Sequence, residues 1–313
     1  MTAAWALIVV TTLTARIVTA QTPSPITLRI GVVTPRAAVS AAEYSALRGV
    51  RLGAIEAKQT ARLFGSSVDV YEASGDGRNR GAVAAADFLA TRRGIQILIG
   101  TSAADADTLS KFAESRRLIF LNVASRSAAL RAACRRYSFH IEASDAMYAN
   151  ARRSVSRDRA RSTVASPPPD AVTLWDARLE RFGASQLNDR FRDLTKSDLD
   201  GPAWAAWLAV KIAAESALRT GASQPQKIRD YLESPATQFD GHKGWPLSFR
   251  AADHQLRQPL YIVAAVGGTA GLAARIADVP DLREVAPDPR GQDAQNVLDR
   301  LSTGSVSCRW SSH

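Results

Sequence analysis

Two short stretches carry residue types suited to ligand chemistry: Gly100-Thr101-Ser102-Ala103 and Asn122-Val123-Ala124-Ser125. Each follows an apolar run, combines small side chains with hydroxyls, and stands where a helix should begin. Free backbone N–H groups at a helix N-terminus attract anions, and the helix dipole adds to the attraction. The same hydroxyls also suit plain helix capping, and one residue can do both. Asp105, in the expected first helical turn, complements the dipole but repels an anion.

Catalytic chemistry finds little footing. The histidines are His140, His242, His254 and His313, and none stands at metal-ligand spacing with a cysteine or another histidine. His254 beside Asp253 reads as a pair in a solvated loop. There is no Gly-x-Ser-x-Gly elbow, no phosphate loop and no Gly-x-Gly-x-x-Gly. Gly75-Asp76-Gly77 is a turn. The expectation is a protein that is not an enzyme, with no catalytic residues, no metal and no cofactor.

The elements that must position these stretches follow from periodicity. Residues 27–34 are β-branched and apolar, as a buried parallel strand should be. Residues 42–58 have helical spacing, 67–73 alternate as a strand, and 79–93 form an Ala-rich helix. Residues 95–100 and 117–122 are further strands, with a helix running from 101–105 to Arg116 between them. Ser125 or Ser127 caps a short helix through Ala132, 137–141 is a fifth strand, and a helix follows from Ser144. Alternating strands and helices with short connections predict an α/β, doubly wound parallel sheet. Ligands of such sheets bind beyond the carboxyl ends of the strands, where both stretches lie.

The second half is less regular. The run 151–172 is basic and Pro-rich, with almost nothing to bury. Beyond it, 176–194 reads as an amphipathic helix interrupted at Gly183. Residues 202–219 form a strong helix with Pro202 at its first position, and Trp204 and Trp207 belong to the core. A short helix over 224–234 precedes strand-like pieces at 247–250 and 259–265. From Thr269 the chain reads as an irregular wrap until Cys308-Arg309-Trp310.

Composition narrows the class. The chain has 313 residues, 46% hydrophobic and 22% charged, enough for a packed core in one large domain or two smaller ones. Net charge is +10, but the arginines are scattered, and the dense run 151–162 lacks the interleaved aromatics of a nucleic-acid platform. Residues 3–13 are apolar and too short to span a bilayer comfortably. Val18-Thr19-Ala20 follows them as a cleavage-type site, so 1–20 reads as a secretory signal and the location as periplasmic. Export favours oxidation, so Cys134 and Cys308 are expected to pair. Closing so long a loop contributes about 4–5 kcal/mol at most in the chain-entropy view.

Several residues together carry a family likeness. They are Ile30-Gly31-Val32-Val33, the helix Gly49–Glu56, Ile99-Gly100-Thr101-Ser102, the helix Trp204–Leu218, and Phe239-Asp240-Gly241 with Leu247–Arg250 and Gln258–Tyr261. The chain resembles the type I periplasmic solute-binding proteins of ABC importers, in the branched-chain amino acid class. Phe120-Leu121-Asn122, Ala129-Leu130-Arg131, Cys134-Arg135, Phe182–Leu187, Leu256–Pro259 and Cys308-Arg309-Trp310 are similar to the subgroup associated with PQQ-dependent alcohol dehydrogenase systems.

The resemblance implies that Thr101, Ser102 and Ala103 bind a ligand carboxylate and that Ala124 and Ser125 complete that face. It implies a small-molecule solute and an inner-membrane ABC permease as partners, with a periplasmic quinoprotein dehydrogenase as a further candidate and no nucleic acid. It also implies two lobes, whereas about 20 residues after Asn150 cannot hold several βα units when one βαβ unit needs roughly 30. The expected organisation is a signal peptide at 1–20, a first lobe at 21–150, a linker at 151–172 replacing part of the second lobe, a remnant second lobe at 173–250, and a return segment with C-terminal tail at 251–313. Two functions fit: capture of a solute between lobes, or an accessory role in quinoprotein alcohol oxidation with a degenerate cleft.

Overall fold

The computed structural model describes residues 25–35, 40–75, 79–161, 171–266, 273–279 and 292–310. The expected signal segment 1–20 lies outside them, as do residues 162–170 of the expected linker.

Strand β1 (Thr27–Pro35) is apolar and buried along most of its length, as the centre of a sheet covered on both faces requires. It pairs in parallel with β2 (Ser67–Gly75) on one side and β3 (Ile97–Gly100) on the other. β4 (Ile119–Asn122) and β5 (Ser138–His140) extend the sheet, giving the order β2-β1-β3-β4-β5, all parallel. This is the α/β, doubly wound sheet expected from the sequence. The reversal of winding between β1 and β3 opens a crevice at their carboxyl ends.

Helix α1 (Ala41–Leu63) begins with a capping box. The Ser40 hydroxyl accepts from the Glu43 N–H, and the Glu43 carboxylate accepts from the Ser40 N–H. Helix α2 (Asn79–Phe88) widens into one π-helical turn before β3. Helix α3 (Ala106–Arg116) links β3 to β4, the short α4 (Ala128–Ala132) is capped by Ser127, and α5 (Asp145–Arg161) follows β5. The first residues of the expected linker therefore continue a helix.

Helix α6 (Ala184–Thr195) starts only after Gly183. Phe182 and Gly183 both have positive φ, +57° and +82°, which ends any helix running in from Asp176. Helix α7 (Gly201–Thr220) is buried along nearly its whole length and lies directly on α1. A Cβ on Gly49 would stand 2.7 Å from the Ala203 carbonyl carbon and closer still to its oxygen, so only glycine permits this approach. The helix read as part of a remnant second lobe thus packs onto the first sheet.

The rest of the chain closes around that core. α8 (Pro225–Glu233) precedes a small antiparallel sheet of β7 (Phe239–Asp240), β8 (Pro246–Phe249) and β9 (Leu256–Arg257). A further sheet joins β6 (Ala171–Thr173), β10 (Leu260–Val266) and β11 (Ala273–Val279), with β10 antiparallel to both neighbours. The tail is more regular than its composition suggests: β11 is a full strand partner, and α9 (Gln292–Asp299) is helical. Cys134 and Cys308 form a disulfide with Cα atoms 5.5 Å apart.

Candidate functional site

A cavity of about 170 Å³ sits at the carboxyl ends of β3, β4 and β5. The first turns of α1 and α7 close it from the other side through Ser40, Glu43 and Pro202. Thr101, Ala103 and Ala124 line it, so the two expected stretches do converge on one space. Ser102 and Ser125 are buried and stand outside its lining.

The local hydrogen bonds differ from the expected pattern. The Thr101 hydroxyl donates to the Val33 carbonyl at 3.2 Å, and its N–H points to the same oxygen at 3.4 Å. Thr101 therefore ties the end of β3 to β1 and does not cap a helix. α3 begins five residues later, at Ala106, with no side-chain cap. A turn over 103–105 intervenes, which moves the helix N-terminus away from Thr101 and Ser102.

After β4, the buried Asn122 organises its own loop. Its Oδ1 accepts from the N–H groups of Ala124 (3.3 Å) and Ser125 (2.8 Å), and its Nδ2 donates to the Ser125 carbonyl at 2.7 Å. This is the local side chain-to-backbone bonding to which asparagine is suited. The two N–H groups expected to face an anion are thus already paired inside the chain.

Charged groups supply what the backbone does not. Arg126 and Glu142 both line the cavity. The Arg126 Nε lies 3.4 Å from Glu142 Oε1, and its guanidinium carbon lies 3.9 Å over the Tyr148 ring. The Tyr148 hydroxyl donates to the same carboxylate oxygen at 2.8 Å. Burial pushes the Glu142 carboxyl up to about 7, against the opposing pull of Arg126, the Tyr148 hydrogen bond, Arg131 and Lys243. Burial likewise holds His140, behind this wall, well below the ordinary histidine range.

The fully buried Arg131 holds the wall in place. It donates to the carbonyls of Ser125 (3.2 Å), Ser127 (3.0 Å) and Glu142 (2.7 Å), and to Gln255 Oε1 (2.7 Å). Gln255 in turn donates to the carbonyls of His140 and Glu142, both at 3.1 Å.

Neither a family model nor a curated protein matches the sequence. Solved structures do match in shape. The branched-chain amino acid transporter substrate-binding protein LivJ of Streptococcus pneumoniae, in complex with isoleucine, aligns with a TM-score of 0.62 at 13% identity, over 80% of this chain and 99% of that one. The leucine-, isoleucine-, valine-, threonine- and alanine-binding protein of Brucella ovis, in a closed conformation, gives 0.65 at 12% identity, over 85% and 98%. A solute-binding protein of an ABC transporter from R. palustris, in complex with benzoate, gives 0.62 at 14% identity, over 80% and 97%. The chain has the type I periplasmic-binding-protein fold.

Within this periplasmic-binding-protein fold, the other candidate residues fall into place by packing alone. His254 is not in a solvated loop. It is fully buried, stacked between Phe139 (4.2 Å) and Trp310 (4.4 Å), with Nδ1 3.1 Å from the Ser138 carbonyl. Asp253 is buried beside it and pairs with Arg250. Trp204 and Trp207 are core residues, as expected. Among the described residues, no group of three or more His, Cys, Asp and Glu side chains could hold a metal ion, and no helix is long and apolar enough to cross a membrane.

A larger cavity, about 230 Å³, opens beside Arg178, Phe182, Lys243 and Tyr261, and no residue from the ends of β1–β5 lines it. The first-sheet cavity is the functional candidate because it sits at the change of winding. Sequence reasoning missed Arg126 and Glu142. A lone carboxylate directly after the apolar Phe139-His140-Ile141 was the available signal for Glu142, whereas nothing distinguished Arg126 from its many neighbouring arginines.

Proposed function

We propose that this chain captures a small solute, without chemical change, in the cavity at the ends of β3, β4 and β5, and delivers it to an ABC permease of the inner membrane. The observation that carries this reading is the convergence of Thr101, Ala103 and Ala124 on one cavity at the winding change of a binding-protein fold. The proteins of similar shape include one in complex with isoleucine and one in complex with benzoate. A cavity of about 170 Å³ falls below the ~300–1,000 Å³ typical of ligand pockets, so the solute is small. The reading includes export by the segment 1–20, contacts from Thr101, Ser102, Ala103, Ala124 and Ser125, and a place among proteins that accompany PQQ-dependent alcohol oxidation.

A second reading has its own support. Among the described residues between α5 and α6, the only strand is the three-residue β6, and the Ala124 and Ser125 N–H groups are already engaged. Both features suit an internally shortened second lobe with a degenerate cleft, in an accessory protein that binds a periplasmic quinoprotein dehydrogenase.

Differential scanning fluorimetry separates the two. The panel is amino acids, short alcohols, aldehydes, carboxylates and pyrroloquinoline quinone. A solute at a hundredfold excess over its Kd stabilises the fold by about 2.7 kcal/mol, a readable shift in Tm. Solute capture predicts such a shift with one class, and its loss in Ala124→Leu, which fills the cavity. A cooperative transition that no compound moves, together with binding to a purified dehydrogenase, would establish the accessory reading.

A further inference from the structure

The solute class can be read from the charged wall of the cavity. We propose that Arg126 and Glu142 hold the carboxylate group of a small monocarboxylic acid, with Arg126 as its counter-ion and the protonated Glu142 carboxyl as a hydrogen-bond donor to it. This rests on the solute-capture reading and adds the substrate class and the residues that select it.

Three observations carry it. First, the Glu142 side chain is only 5% exposed, yet it lines the cavity. Its Oε1 accepts from Tyr148 and faces Arg126, while Oε2 has no hydrogen-bond partner among the described residues. A carboxyl oxygen without a partner, at a cavity wall and on a side chain otherwise buried, is available to a ligand or a proton.

Second, Arg126 contacts Glu142 through Nε and stacks on Tyr148, which leaves both terminal nitrogens without a hydrogen-bond partner among the described residues. A guanidinium presents such nitrogens as a planar fork matched to a carboxylate.

Third, the charges acting on Glu142 are positive. Arg126 from the loop after β4, Arg131 from α4 and Lys243 from the loop before β8 all act on Glu142. Tyr148 from α5 donates to it, Asp145 and Asp253 act on Arg131, and Glu43 across the cavity is engaged at the α1 cap. Of the charged side chains lining the cavity, Arg126 is the cation, beside Glu43 and Glu142, and with Glu142 protonated it offers a carboxylate its counter-ion. The backbone N–H groups of Ala124 and Ser125, beside Arg126, are paired to Asn122.

Because Glu142 titrates near neutrality, it can supply the shared proton at neutral pH. Carboxylate binding then favours the protonated protein and takes up protons above neutral pH. Ammonium binding would favour the ionised form and release them.

The test is isothermal titration calorimetry on the full chain with propionate, propylammonium and 1-propanol, in buffers of differing ionisation enthalpy. The expected result is selective propionate binding with proton uptake, weakening by up to about tenfold per pH unit above roughly pH 7. Glu142→Gln, whose amide donates at every pH, should retain binding and lose the pH dependence. Arg126→Gln, at a half-exposed position that folding tolerates, should weaken propionate at least about tenfold at all pH values. Selective propylammonium or propanol binding would overturn this inference and leave solute capture standing. So would propionate binding that is flat with pH or indifferent to Arg126→Gln. Binding of none of the three, nor of any compound in the fluorimetry panel, would remove both.

Discussion

The Arg131 Nε donates to Gln255 Oε1 at 2.7 Å, across 124 positions of sequence. The bond joins α4 to the return segment, and the other guanidinium nitrogens fix the carbonyls of Ser125, Ser127 and Glu142. One buried cation thus sets the shape of two cavity-lining loops. Burial lowers its pKa to about 10, so it remains charged at neutral pH.

Replacing Arg131 with Met should therefore be severe. It removes a donor from four acceptors, of which the Ser125 and Glu142 carbonyls keep a second from Asn122 and Gln255, for an expected loss of about 3–5 kcal/mol in urea unfolding. Arg131→Lys should recover only part of this, because an ammonium cannot reproduce the planar fork. A loss under about 1 kcal/mol for the Met variant would show that water or rearranged side chains replace the network.

The Cys134–Cys308 bridge spans 174 positions, and Cys308 also donates its N–H to the Ala252 carbonyl at 2.6 Å. The Cys134→Ser/Cys308→Ser double variant should lose stability, with about 4–5 kcal/mol as the chain-entropy ceiling. Trp310 stacks on His254 beside the bridge, so its fluorescence should report release of the tail. Equal melting temperatures for oxidised and reduced protein would contradict a stabilising role.

Gly49 is a purely steric test. Gly49→Ala pushes a methyl group into the Ala203 carbonyl, 2.7 Å from its carbon, and neither helix backbone can yield cheaply. The usual gain from replacing a helical glycine should be reversed, with a net loss of about 1–3 kcal/mol or more by overpacking. Thermal unfolding of this variant beside an alanine substitution of the exposed Ile55, on the same helix, separates close approach from helix propensity.

The raised pKa of Glu142 has a definite sign. Its folded value, about 7, exceeds the ordinary glutamate value of 4.5, so the folded state binds more protons between them. Stability from this group is fully present below the unfolded pKa and declines as pH rises through about 7. His140, depressed by burial, acts oppositely, losing stability as pH falls below the ordinary histidine value. The clean measurement is therefore a difference: urea unfolding of the wild type and Glu142→Gln at about pH 5 and about pH 8. The variant should gain relative to the wild type at the higher pH, by on the order of a few kcal/mol. A difference independent of pH would mean that the carboxyl is solvated.

Periodicity and β-branching alone determined the parallel sheet, because a strand buried on both faces must be continuously apolar, as Ile97–Gly100 and residues 119–121 are. The two cavity stretches were legible for the same reason, since they follow those strands. Periodicity did not reveal the strand β11 or the helix α9, whose Pro- and Gly-rich surroundings have the local chemistry of an irregular wrap. Burial of His254 was also hidden, because its partners Phe139 and Trp310 stand 115 and 56 positions away in the chain (254 − 139 and 310 − 254). The site divides in the same way. Residue type and position relative to a strand brought Thr101, Ala103 and Ala124 to one place. Only the tertiary structure decided which N–H groups remain free and which charges face the cavity, because Asn122, Arg126, Arg131 and Glu142 act through contacts that linear spacing does not encode.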